Sequence, residues 1–127
     1  MDSFYMNGDL WHVKIVSPYN PKLVDRTGDL KVATTNPVSM CVYLSSHLEG
    51  DFFNTVLVHE LAHCAMISFD LIDYIHSHVP PEYWIDMEEF MCNFIADYGL
   101  KIFRTAYDLF GDDAIRIVPY GIERYIA

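Results

Sequence analysis

The spacing of hydrophobic and polar positions changes part-way along this chain. In the first forty-odd residues the period is short: Trp11, Val13 and Ile15 alternate with His12, Lys14 and Val16, as a partly buried strand requires. Asn20-Pro21 and Thr27-Gly28-Asp29 carry turn chemistry, and Leu30 to Thr35 and Met40 to Leu44 are apolar, β-branched runs between such breakers. Two or three further short strands are expected there. From Asp51 the period lengthens. Asp51 can cap a helix start, and no Gly or Pro interrupts the chain before Pro80, so a helix is predicted over about Asp51 to Phe69. At 100° per residue its surface is apolar almost all the way round, from Phe52, Phe53, Val56 and Leu57 to Leu61, Met66 and Ile67. Such a helix belongs inside a domain.

A connecting stretch, Asp70 to Glu82, contains Pro80-Pro81, and a second long helix is expected over about Tyr83 to Phe110, stopped by Gly111-Asp112-Asp113. Phe94, Tyr98, Phe103 and Tyr107 read as its packing positions. The tail with Pro119 and Gly121 takes no assignment. Strands followed by two helices predict an α+β fold: a small twisted β-sheet, a buried helix, and a second helix packed across a cleft from it.

Composition narrows the partners. The chain has 127 residues, 52% hydrophobic and 15% aromatic, ample for one packed core, so a single domain over 1–127 is expected. Eighteen acidic against eight basic side chains give a formal charge of −10. That charge repels phosphate backbones and anionic lipid, so no nucleic acid and no membrane is expected, whereas a basic protein or peptide suits. With no basic segment leading an apolar one at the N-terminus, and no run of eighteen apolar residues, the expected compartment is cytoplasmic. Cys41, Cys64 and Cys92 are odd in number and lack Cys-x-x-Cys spacing, which fits small reduced core residues.

The run His59-Glu60-Leu61-Ala62-His63 carries the chemistry. Four apart on a helix, His59 and His63 stand about 40° from each other and can aim two imidazoles at one ion. Zinc held there polarises a scissile carbonyl and acidifies a water, and Glu60, on the same side, can take the proton and return it to the leaving amine. Two imidazoles and a carboxylate on an otherwise apolar helix are costly to bury unless something satisfies them. A bound cation does so; the competing reading is a metal-free hydrogen-bonded cluster.

A catalytic zinc also needs a third protein ligand. The extended pattern with a third His is excluded, because its His position is Phe69 and its turn Gly position is Met66. The alternative is a carboxylate from the second helix, where Asp86, Glu88 and Glu89 lie near the start. On the helical wheel Glu88 falls among Met91, Cys92 and Ile95 on the apolar face, while Glu89 lies at its border beside Asn93 and Ala96, which favours Glu88. Tyr74, His76, His78 and Tyr83, between the two ligand-bearing helices, are candidates for stabilising an oxyanion. His12 and His47 read as ordinary surface histidines.

These blocks resemble those of the ImmA/IrrE metallo-endopeptidases, whose members pair a His-Glu-x-x-His helix with a helix carrying Glu-x-x-Ala-Asn-x-Phe-Ala. Here Glu89-Phe90-Met91-Cys92-Asn93-Phe94-Ile95-Ala96 matches at Glu, Asn and Ala, with Cys92 for the first Ala and Ile95 for Phe. Cys41-Val42-Tyr43-Leu44-Ser45-Ser46-His47-Leu48 is similar to the family's apolar strand leading into the active-site helix. The likeness covers about Gly28 to Ala96, departing at Ala62, where Gly is usual, and at Asp97-Tyr98-Gly99-Leu100 in place of Leu-Leu-Met-Pro.

The resemblance implies a zincin-like fold, zinc held by His59, His63 and Glu89, Glu60 as base, and cleavage of a protein substrate such as a regulator or repressor. It places Glu89 in the ligand register with Asn93 one turn on to orient it, and on that ground Glu89 is preferred to Glu88. It also makes Met40 to Ser45 an edge strand on which an extended substrate could pair. The alternative from another class is a non-catalytic module that keeps zinc and sequesters a protein partner.

Overall fold

The computed structural model describes residues 2–117. It is α+β, with β1 Ser3–Met6, β2 Asp9–Val16, β3 Ala33–Asn36 and β4 Cys41–Ser45 followed by α1 Gly50–Ser68, α2 Leu71–His78, α3 Trp84–Phe94 and α4 Leu100–Phe110. The chain divides into two compact units, Met1–Ala96 and a second that begins at Asp97.

In the first unit the strands form one mixed sheet in the order β1-β2-β4-β3. β1 and β2 make an antiparallel hairpin. Its turn residues Asn7 and Gly8 both have positive φ, 48° and 84°, the backbone a two-residue turn needs to follow strand twist and one that Asn and Gly adopt at least cost. β4 pairs in parallel with β2 and antiparallel with β3.

The expectation that Met40 to Ser45 forms an edge strand is therefore corrected: β4 is interior, and all five of its residues are buried. The physical reason is that both of its faces are apolar. Val42 and Leu44 pack with Trp11, Ala33 and Cys64, while Cys41 and Tyr43 pack with Leu23 on the other face. A strand covered on two faces belongs in the middle of a sheet. The free edge on that side is β3.

Phe53, Val56, Leu57 and Ile67 of α1 pack against the Trp11, Val42 and Leu44 cluster. No residue from Thr55 to Phe69 is exposed, as the helix composition demands. Glu49 rather than Asp51 holds the N-cap position, and its side chain makes no capping hydrogen bond. The last turn is tied to the β1–β2 hairpin. Asn7 Nδ2 donates to the Ser68 carbonyl and Trp11 Nε1 to the Ser68 hydroxyl, both at 2.9 Å, so a helix-end carbonyl and a buried indole are satisfied together.

The stretch read as a connection contains α2, and the expected long second helix is divided into α3, a π-helical turn at Ile95–Gly99 and α4. Met66 of α1, Ile75 of α2 and Cys92 of α3 share one buried cluster, which seats the three helices together. Cys41, Cys64 and Cys92 are free and buried, one in each apolar cluster, as expected.

In the second unit, Phe103 and Tyr107 of α4 are exposed, where the periodicity assigned them to packing. The helix ends at Gly111, φ 69°, whose N–H bonds back to the Tyr107 carbonyl. Among the described residues no single helix is long and apolar enough to cross a membrane. Pro119 and Gly121 lie outside the described residues.

Candidate metal centre

Three elements converge on one point of the first unit. α1 presents His59, Glu60 and His63; α3 presents Glu88 and Glu89; β3 contributes Thr35. His59 Nε2 and His63 Nε2 stand 3.1 Å apart. Glu89 brings Oε2 to 3.2 Å from the first and Oε1 to 3.3 Å from the second. These three residues form a group that could hold a metal ion, with their ligand atoms all within 4.8 Å of one another. The dimensions suit zinc. A tetrahedral ion with bonds of about 2.0–2.1 Å separates its ligands by about 3.3–3.4 Å, so the donors need spread by only a few tenths of an ångström.

Glu88 meets the same imidazole from its other side: Oε1 accepts from His63 Nδ1 at 2.9 Å. Successive residues on a helix project about 100° apart, and here that divergence sets one carboxylate at each nitrogen of a single ring. With Nδ1 donating to Glu88, Nε2 is the nitrogen left to face His59 and Glu89. Glu88 is buried, with its side chain 10% exposed, while the Glu89 side chain is 41% exposed and stands in the donor group.

Glu60 is buried at 6% exposure. The Thr35 hydroxyl donates to its Oε2, and lies 3.4 Å from its backbone carbonyl. Burial pushes the Glu60 carboxyl up, against the opposing pull of Thr35 and the two imidazoles. Glu89 moves the other way: hydrogen bonds from His59 and His63 hold it well below the usual carboxylate range. For Glu88, burial works upward but is outweighed by His63 and Arg26, leaving it lowered. Burial alone would lower His63, yet Cys92, Glu88 and Glu89 together raise it to about 12. Those neighbours favour the charged form of the His63 ring. Among the described residues no buried side-chain nitrogen or oxygen lacks a partner.

Two residues at this site were not singled out from sequence. Thr35 is one, and Arg26 is the other: its Nη1 lies 2.9 Å from Glu88 Oε2 and its Nη2 3.5 Å from Glu89 Oε1. Neither is near the metal motif in the chain, so no local spacing could have marked them.

Other residues singled out from sequence have contacts or exposure of their own. Asn93, expected to orient Glu89, is exposed, and that carboxylate instead meets two imidazoles and Arg26. Tyr74 stacks on His78 at 4.0 Å, and His76 on Trp84 at 3.8 Å. Tyr83, Asp86, His12 and His47 are exposed. No protein-family model, curated protein or solved structure matches this chain.

Proposed function

We propose that this chain is a zinc-dependent metallo-endopeptidase acting on a protein substrate, with His59, His63 and Glu89 holding the metal and Glu60 as general base. The observation that carries the reading is the convergence of His59 Nε2, His63 Nε2 and the Glu89 carboxylate at 3.1–3.3 Å beside a buried Glu60. Zinc bound there supplies Lewis acidity toward a carbonyl oxygen and toward water. Glu60, its carboxyl raised by burial, is tuned to accept a proton from that water and deliver it to the leaving amine. The resemblance of the two motif blocks to ImmA/IrrE peptidases supports the same assignment and suggests a regulator or repressor as the substrate.

The sheet offers one edge along which an extended substrate would pair. β3 is the edge beyond β4, and its Thr35 touches Glu60, so a peptide added along β3 would lie beside the base. The Ser45 amide donates to the Val32 carbonyl at 2.8 Å. Pairing alternates along an antiparallel ladder, so Thr34 and Asn36 face β4 while the Ala33 and Thr35 amides point outward. Those two amides are the docking points for an extended substrate, and the formal charge of −10 favours a basic one.

The test is cleavage of a panel of basic, unstructured peptides by the zinc-loaded protein and by its Glu60→Gln variant. Cleavage lost in the variant with zinc retained is the expected result. Zinc retained with no cleavage in either form would favour a module that keeps the metal and sequesters a partner.

A further inference from the structure

Arg26 is presented to the metal centre from a turn that is fixed from within. Asp25 Oδ1 accepts from the Thr27 amide at 2.9 Å, the Thr27 hydroxyl at 2.6 Å and the Asp29 amide at 3.1 Å. Gly28 supplies the left-handed backbone at φ 88°, and Val24 and Leu30 bridge across the base of the turn. Just before it, Leu23 is fully buried. The backbone that carries Arg26 is therefore held by its own turn.

Surface arginines paired with a single carboxylate contribute little. This one is 45% exposed, but the atom it meets belongs to a buried carboxylate whose other oxygen is already committed to His63 Nδ1 at 2.9 Å. Its second nitrogen reaches Glu89, the adjacent carboxylate of the donor group, at 3.5 Å. Arg26, Glu88, His63 and Glu89 thus close a ring in which each group touches two others.

We infer that Arg26 is a positioning residue for the metal centre: it pins Glu88 so that Glu88 holds the His63 ring, and it steadies Glu89 beside it. This rests on the metal site proposed above. Two neighbouring carboxylates repel each other and, left free, each could swing toward a cation. Arg26 occupies Glu88 Oε2, which keeps Glu88 on the imidazole and leaves the ion to Glu89. A guanidinium suits both contacts because its planar fork holds separate nitrogens toward two acceptors, whereas an ammonium presents its donors from a single nitrogen.

The experiment measures Zn2+ affinity by chelator competition for the wild type and for Arg26→Ala, Arg26→Lys, Glu88→Ala and the Arg26→Ala/Glu88→Ala double variant. It is paired with Co2+ absorption spectra and metal-free melting. Loss of a group supporting a ligand typically lowers affinity about 10- to 100-fold, and that loss is expected for Arg26→Ala. Arg26→Lys should recover part of it. In the Glu88→Ala background the same change should cost several-fold less, since the path through Glu88 is cut and only the contact with Glu89 remains. The Co2+ bands should shift in Arg26→Ala, which a purely structural role would not produce; Arg26→Gln replaces the Ala variant if that one does not fold. Wild-type affinity and an unchanged Co2+ spectrum in Arg26→Ala would overturn the role, as would an equal loss with and without Glu88. A wild type that binds no Zn2+ would instead remove the metal centre, and this role with it.

Discussion

Glu88 and Glu89 are consecutive and both touch His63, yet their removal should have unequal consequences. Glu89→Ala deletes one of three donor groups, whereas Glu88→Ala deletes the acceptor at Nδ1 and leaves all three donors in place. Structural zinc sites with four protein ligands bind with about 10–16 kcal/mol, or about 2.5–4 kcal/mol for each ligand. Losing one ligand therefore corresponds to about 70- to 900-fold in affinity. For Glu88 the loss of a supporting group corresponds to about 10- to 100-fold, or about 1.4–2.7 kcal/mol. Competition against a chromophoric chelator at fixed pH reads both values, and metal-free melting curves check that each variant is folded. Equal losses, or a larger loss for Glu88→Ala, would refute the assignment of Glu89 as donor and Glu88 as support.

Other consequences are as direct. In the metal-free protein His63 is raised from 6.5 to about 12, so the stability it contributes is complete below about pH 6.5 and drains away as pH rises toward 12. Zinc binding displaces that proton and strengthens with pH, so the gap in melting temperature between zinc-loaded and metal-free protein should widen from pH 6 to pH 9; a constant gap would contradict the assignment. Ser68→Ala leaves the buried Trp11 N–H without its 2.9 Å acceptor and should destabilise the protein by about 1–3 kcal/mol in denaturant melts, whereas a neutral effect would mean the indole finds another partner. Ala33→Pro removes an outward-facing amide from the β3 edge and should weaken peptide cleavage at unchanged zinc content. Full cleavage by that folded variant would exclude β3 as the docking edge.

What could be read in the sequence depended on how local its signal was. His59, Glu60 and His63 lie within one helical turn and a quarter, so periodicity alone placed them together. Glu88 and Glu89 were found as a pair, but whether one or both faced the site depended on the angle at which α3 packs on α1, which is set by Met66, Ile75 and Cys92. Thr35 and Arg26 reach the site only through tertiary packing, and a Thr in a strand or an Arg in a turn carries no mark of its destination. Other signals were present and not used. Asn7-Gly8 between apolar runs announces the β1–β2 hairpin. Met40 to Leu44 shows little of the polar alternation of an edge strand, consistent with the interior position of β4. Gly99 stands where the expected second helix changes character, at the end of the π-helical turn.

The central claim is that this cluster holds a zinc ion and holds it through these donors. Elemental analysis of the purified protein beside His59→Ala, His63→Ala and Glu60→Gln tests it most directly. About one zinc per chain is expected in the wild type and in Glu60→Gln, with the metal lost from both His variants. Undiminished zinc in the His variants, or none in the wild type after purification in zinc-containing buffer, would contradict it.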